Sequence, residues 1–161
     1  MEKDNIQIKK CKRIDTRDTN NDANGWLLEI ISDKEGFCES FNGQAYVVNV
    51  AVGKQKGFHI HTKAVYYAAC VYGRVRSVFY NGPSTKTEIE MGDNDWKVVK
   101  IMPGTAHLLQ NIGTEPAYVL AYRHPSWNPD DKEMITVPPE DIEKEELWKE
   151  IRLKVNSQNA Q

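Results

Sequence analysis

The chain of 161 residues has the length of one domain and can bury a core without disulfide or metal staples. Hydrophobic residues at 40% and charged residues at 27% are ordinary for a folded protein, and no apolar run reaches the ~20 residues of a bilayer-spanning helix. A formal net charge of −2 argues against a general nucleic-acid binder.

The opening, MEKDNIQIKK, is charged and has no apolar segment of the signal-peptide kind, so a cytoplasmic location is expected. Residues 1–25 are polar, and DTRDTNNDANG within them reads as a turn-rich loop, which makes this stretch an N-terminal arm. WLLEII at 26–31 reads as a short strand. AYVVNVAV at 45–52 alternates and is rich in β-branched residues, a strand signature. Residues 65–80 are apolar and broken at Gly73, which predicts two strands with a tight turn at Tyr72-Gly73-Arg74. Beyond that turn Val75, Ser77 and Phe79 share one face, and Arg74, Arg76 and Val78 the other. Asn81-Gly82-Pro83-Ser84 is a turn, and WKVVKIM at 96–102 is a strand stopped by Pro103-Gly104. Residues 106–109 lead to a turn at Asn111-Ile112-Gly113, and YVLAY at 118–122 is a further strand. Many short strands with turns between them predict an all-β sandwich or barrel over 26–137. Residues 138–161 form the remainder: Pro138-Pro139-Glu140-Asp141 opens a helix, and Ile142, Leu147, Trp148 and Ile151 roughly follow its period. This helix is expected on the outside of the barrel, with the final NSQNAQ fraying.

Cys11, Cys38 and Cys70 are odd in number and lack CxxC spacing, which argues against a disulfide framework or a structural zinc site. Cys70, in an apolar run, reads as a small core residue. Charge is unevenly spread. Residues 40–87 contain no Asp or Glu but carry Lys54, Lys56, Lys63, Arg74, Arg76 and Lys86. Residues 128–150 hold nine acids against three lysines. A positive middle suits an anionic small molecule. The plainer reading is that buried strands exclude carboxylates while lysines stay on the rim.

Three of the four histidines fall in two motifs, GFHIH at 57–61 and PGTAHLLQN at 103–111. Residues two apart on a strand project to one face, so His59 and His61 point together; alternation alone allows that face to be inside or outside. HxH, a glycine turn and then PGxxHxxxN resemble the cupin superfamily, which implies a double-stranded β-helix (jelly-roll) barrel, here with a C-terminal helix. In cupins the first motif supplies two His and a Glu and the second another His, around one metal. His59, His61 and His107 match, and Asn111 stands in the place of the motif's Asn. The Glu has no counterpart, since its place reads Ala64, Val65, Tyr66 and Tyr67.

Over about residues 20–140 the chain resembles more narrowly the dTDP-4-dehydrorhamnose 3,5-epimerase-like branch. The residues are Asn24-Gly25-Trp26-Leu27-Leu28-Glu29, Lys56-Gly57-Phe58-His59, the turn at Gly73, and Met102-Pro103-Gly104-Thr105-Ala106-His107. The segment Asn111-Ile112-Gly113-Thr114-Glu115-Pro116-Ala117 resembles the cupin modules of capsule-sugar enzymes. The resemblance implies an epimerase or isomerase of a nucleotide-linked 4-keto-6-deoxy sugar in surface-polysaccharide synthesis, acting as a homodimer. It assigns His59 as general base, His107 as a second imidazole, Lys56 as a phosphate contact, and Tyr122 or Tyr118 as the acid. The family's active-site Lys falls near Tyr66, and the carboxylate that orients its base has no assignable counterpart.

A 4-keto group acidifies the neighbouring C–H bonds, and imidazole is suited to removing that proton near neutral pH. His61, Tyr66, Lys56, Lys63, Arg74 and Arg76 complete the expected substrate-binding set, with the cations available to a diphosphate. Arg74 and Arg76 read equally as a solvated strand edge, and Tyr66, Tyr67 and Tyr72 as barrel packing. His124 reads as a surface or interface residue, and Trp127 as a cap on the barrel mouth or a contact between subunits. No cofactor is required in this reading. One alternative is a metal-dependent cupin using His59, His61 and His107 as ligands to a divalent ion; another is a non-catalytic sugar-binding cupin.

Overall fold

Twelve short strands, one α-helix, α1, and two single 3-10 turns, one of them at Pro139–Asp141 ahead of α1, are found among residues 5–158, the part that the structure, a computed structural model, describes. In chain order they are β1 (Ile6–Lys10), β2 (Lys12–Arg17), β3 (Ala23–Glu29), β4 (Gln44–Val50), β5 (Gln55–His61) and β6 (Val65–Tyr72). There follow β7 (Arg74–Tyr80), β8 (Lys86–Gly92), β9 (Lys97–Ile101), β10 (Ala106–Asn111), β11 (Ala117–His124), β12 (Met134–Thr136) and α1 (Glu145–Gln158). Two five-stranded sheets face each other, one in the order β1-β9-β6-β11-β4 and the other β12-β5-β10-β7-β8; β2 and β3 form a separate hairpin.

Strand alternation divides the apolar residues among three clusters. Val50, Cys70, Val75, Phe79, Val99 and Val119 meet between the sheets. Phe58, Ile60, Val78 and Leu108 point out of the second sheet and are covered by Trp148 and Ile151 of α1. The indole Nε1 of Trp148 donates to the Ile142 carbonyl at 2.6 Å, so its one polar atom is satisfied in the buried position. Val65, Tyr67, Ala69 and Val98 point out of the first sheet and are covered by Ile30, Ile31, Phe37 and Cys38. Covering the second sheet with α1 settles the face of the HxH motif: Phe58 and Ile60 are outward, so His59 and His61 are inward.

Several expectations are corrected. Residues 1–25 are not only an arm. Ile6–Lys10 pairs antiparallel with β9, Ile6 opposite Ile101, and β2 and β3 form a hairpin whose turn is held by the Asp18 carboxylate accepting from the backbone of Asn20 and Asp22. An edge strand needs only one apolar face and tolerates lysines, so a sequence as polar as IQIKK suffices. The two strands expected either side of Gly73 are present, but they do not pair with each other: β6 pairs with β9 and β11, β7 with β8 and β10, and Gly73, at φ 72, passes the chain between sheets. Lys86–Gly92 and Met134–Thr136 are strands without a clear signature in the sequence. Asn156, Ser157 and Gln158 remain helical, and the end of the expected fraying tail lies outside the described residues.

Candidate active site

β5 and β10 place the three imidazoles. They pair with His59 opposite His107, and the register slips between His107 and Leu109, so that Lys56 stands opposite Leu109. Without that bulge Lys56 and His59, three apart, would face opposite ways; with it both line one pocket. Gly57 permits the irregularity. It has φ 117, and a Cβ there would lie 2.5 Å from the His107 carbonyl oxygen.

The pocket has a volume of about 340 Å3. His59, His61 and His107 line it from one sheet, and Tyr46, Tyr66 and Arg123 from the other. The His61 and His107 rings lie 5.5 Å apart and His59 and His107 5.9 Å. Tyr66 stacks on both His61, at 5.5 Å, and His107, at 4.9 Å. The Tyr46 ring lies beside it, with centroids 6.4 Å apart. Burial raises both phenols; their mutual interaction raises Tyr66 further and lowers Tyr46, which leaves Tyr46 the more acidic partner.

Glu133 is the carboxylate that orients an imidazole here, and it does so on His61. Its Oε1 lies 3.0 Å from His61 Nδ1 and accepts from Arg123 Nη2 at 2.6 Å. Arg123 Nε also donates to the Pro125 carbonyl at 2.9 Å. Burial pushes the Glu133 carboxyl up, but the hydrogen bonds and charges of His61 and Arg123 outweigh it and hold the pKa at about 2. An ionised carboxylate only accepts, so Nδ1 of His61 carries the hydrogen and Nε2 is the basic nitrogen. Burial, reinforced by His61 and His59, drives His107 down to about 3, so this ring is neutral at physiological pH. Its Nδ1 is buried without a hydrogen-bond partner. His59 is also lowered, by burial first and then by His61 and Lys56.

Other expected residues lie elsewhere. Tyr122 points out of the first sheet, packs against Tyr67 and Phe41, and donates to the Ser40 carbonyl at 2.8 Å. Arg123, the next residue, is therefore the inward one. Tyr118 is exposed and paired with Tyr72, so neither Tyr118 nor Tyr72 reaches the imidazoles. Lys63 is exposed beside Asp131, at 3.3 Å. Arg74 and Arg76 both bond Glu90 of β8, at 2.6 and 2.8 Å, on the solvated outer face of the second sheet; β7 is paired on both sides, so this is not an edge. His124 donates through Nδ1 to the Asn42 carbonyl. Trp127 lies at the pocket. Sequence reasoning missed Glu133, Arg123 and Tyr46. Only Tyr46 carried a usable signal, its alternation with the inward Val48 and Val50; Glu133 is one of nine acids in an acid-rich stretch.

Among the described residues no group of three or more His, Cys, Asp or Glu side chains is disposed to hold a metal ion. Nδ1 of His61 is held by Glu133, which leaves Nε2 as the free ring nitrogen. No described helix is long and apolar enough to cross a membrane.

Solved structures with this fold include a dTDP sugar isomerase from Desulfovibrio desulfuricans G20 (TM-score 0.73, 17% identity, 84% of this chain and 85% of that one). Another is RmlC of Legionella pneumophila Philadelphia 1, a dTDP-6-deoxy-D-glucose-3,5-epimerase (0.69, 15%, 88% and 77%). A third is QdtA, a sugar 3,4-ketoisomerase from Thermoanaerobacterium thermosaccharolyticum in complex with TDP (0.65, 19%, 89% and 96%). At these identities the likeness is one of fold, and it is the cupin barrel expected from the motifs. In sequence the chain is 27% identical over 144 residues to the spore coat polysaccharide biosynthesis protein SpsL of Bacillus subtilis strain 168, covering 86% of this chain and 91% of that protein. The model of the polysaccharide biosynthesis C-terminal domain matches residues 20–135, and the chain belongs to that family.

Proposed function

We propose that this protein is an epimerase or isomerase of a nucleotide-linked 4-keto-6-deoxy sugar, acting in the cytoplasm in the synthesis of a surface polysaccharide. The observation that carries the reading is His61, held by a buried ionised carboxylate within a pocket that also offers a neutral imidazole and a pair of phenols. The relatives lend support through what they are: sugar-nucleotide isomerases and epimerases in fold, and a polysaccharide biosynthesis protein in sequence.

His61 Nε2 removes the proton on the carbon next to the keto group, and the electron pair of that C–H bond delocalises onto the carbonyl oxygen as an enolate. Glu133 stabilises the imidazolium that forms. His107 and Tyr46 supply hydrogen bonds to the enolate oxygen, an electrostatic contribution that grows as charge develops. Return of a proton from Tyr46, on the sheet opposite His61, to the other face of the same carbon gives an epimer, with the His61 proton passing to solvent and solvent reprotonating the phenolate; return of the His61 proton to the former carbonyl carbon, as the neighbouring hydroxyl of the enediol gives up its own to solvent, gives a keto isomer. Only protons move, so no cofactor is required. Positioned acid–base groups of this kind contribute roughly 10²–10⁴-fold. The base thus passes from His59, as the family resemblance assigns it, to His61, while His59 and Lys56 line the approach for the phosphates.

The protein is proposed to act as a homodimer. Val47, opposite Leu120, and the Tyr72–Tyr118 pair leave apolar side chains exposed on the outside of the first sheet. Incubation with dTDP-4-keto-6-deoxyglucose in deuterium oxide should place deuterium in the sugar ring next to the carbonyl, and His61→Asn should abolish it. Ligand binding without exchange, across several keto-sugar nucleotides, would make this a sugar-binding cupin instead.

A further inference from the structure

We infer that Arg123 is a catalytic residue of this site: one arm of its guanidinium holds Glu133, and the free Nη1 binds the oxygen on which the enolate charge develops. The inference rests on the keto-sugar reading and adds the counter-charge that the neutral donors His107 and Tyr46 do not provide. Arg123 stands across from Tyr66 on one neighbouring strand and from Gln44 on the other, and all three line the imidazole pocket. Tyr66 is the ring stacked on His61 and His107, and Glu133 joins Arg123 to His61 itself. The guanidinium charge also lowers both Tyr46 and Tyr66. The other cation of the pocket, Lys56, is exposed, whereas Arg123 is 2% exposed.

The three guanidinium nitrogens are unequally committed. Nε donates to the Pro125 carbonyl at 2.9 Å and Nη2 to Glu133 Oε1 at 2.6 Å. Nη1 has no hydrogen-bond partner among the described residues. It is not sealed in protein either: the buried side-chain atoms left without a partner there are Ser77 Oγ, His107 Nδ1 and Glu133 Oε2. Nη1 is therefore open to the pocket that Arg123 lines, and its two N–H groups lie in the plane that the other two nitrogens fix. Before reaction the site holds the guanidinium, the Glu133 carboxylate, a neutral His61 and a neutral ketone. The C–H bond then breaks: its proton passes to His61 Nε2, its electron pair forms the C=C bond, and the carbonyl π pair moves to oxygen. Glu133 now lies between two cations, the His61 imidazolium and Arg123, and the enolate meets Arg123 on its other side. Charge alternates along the series, and the net charge of the site is unchanged. In a buried site this attraction is far stronger for an enolate than for the ketone it replaces, so it acts on the barrier and not on ligand binding.

The test is a double-mutant cycle with Glu133, read as deuterium exchange into dTDP-4-keto-6-deoxyglucose per folded enzyme, the folded fraction taken from near-UV circular dichroism. R123Q/E133Q leaves no buried charge unpaired and should fold at least as well as E133Q. Its exchange should nonetheless be slower than that of E133Q by a further ~10-fold or more. A guanidinium that acted only through Glu133 would have no role left in E133Q; exchange by the double variant equal to or faster than E133Q overturns the inference. R123K keeps a charge for Glu133 but lacks the fork that reaches both partners. It should lose roughly 10²–10³-fold in kcat with KM within about threefold and the acid limb of the kcat–pH profile unmoved. A loss confined to KM, or a shifted acid limb with kcat restored on its plateau, would make Arg123 a binding or positioning residue and overturns the catalytic role. Absence of exchange by the wild type refutes the keto-sugar reading and this inference with it. Exchange by the wild type, with R123Q/E133Q no slower than E133Q, removes only the role of Arg123.

Discussion

Acid should destabilise this protein well before its carboxylates titrate, because His107 is buried neutral. Its folded pKa is about 3 against an ordinary 6.5, with burial the first cause and His61 and His59 the next. For a depressed pKa the contribution to stability is complete above the unfolded value and is lost as pH falls toward the folded one. The window is therefore pH 6.5 down to 3. At pH 5 the loss is about 2 kcal/mol, from 1.5 pH units at 1.36 kcal/mol each, and it levels off near 5 kcal/mol by pH 3. Glu133, lowered from 4.5 to about 2, adds its own loss only below pH 4.5, so the interval from pH 7 to 5 isolates the imidazoles. Urea unfolding at pH 7, 6 and 5 and constant ionic strength measures the slope. His107→Leu, facing Tyr66, should flatten most of it, the remainder coming from His59, which burial lowers in the same sense. A wild type equally stable at pH 7 and 5, or a variant with an undiminished slope, would refute a buried, neutral His107.

Glu133→Gln leaves the Arg123 guanidinium buried without its counter-charge and should cost about 3–5 kcal/mol in urea unfolding. Deuterium exchange by the surviving folded fraction should fall at least ~10²-fold, as befits the loss of the group that fixes the base. Tyr122→Phe is the contrasting change: it removes one hydrogen bond to Ser40, about 1 kcal/mol, and should leave exchange within about twofold. An exchange rate that collapses in Tyr122→Phe would return the acid to β11. Gly57→Ala puts a Cβ against the His107 carbonyl at φ 117 and should destabilise by about 3 kcal/mol or more, seen as a lowered urea midpoint.

The barrel was legible because its evidence is periodic. AYVVNVAV, YVLAY and the alternation after Gly73 each report which residues share a face, and Val75 and Phe79 are indeed in the core with Arg74 and Arg76 outside. Pairing between strands is not periodic in the sequence, so a glycine that opens a hairpin and one that passes the chain between sheets look alike at Gly73. The same limit explains Tyr122. A family motif located to within a few residues cannot fix parity, and a shift of one residue exchanges the outward Tyr122 for the inward Arg123.

The uneven charge of the chain has a structural counterpart in the site. Residues 40–87 build β4 to β7, four of the ten strands in the two sheets, and contain no carboxylate, as buried strands should, since an unpaired buried anion is costly. A base held by a carboxylate must therefore receive it from outside that segment, and Glu133, just before β12, reaches in from the acid-rich stretch. It arrives at His61 because β12 pairs with β5 and sets Met134 opposite His61. Arg123, from the other sheet, neutralises it there. The carboxylate, its counter-charge and its imidazole thus come from three separated stretches that only the closed barrel brings together. His61 gains its orienting partner when β12 docks, whereas His59, opposite Thr136 on the same edge strand, gains none. That difference between two histidines two residues apart is the ground on which His61 is proposed as the base.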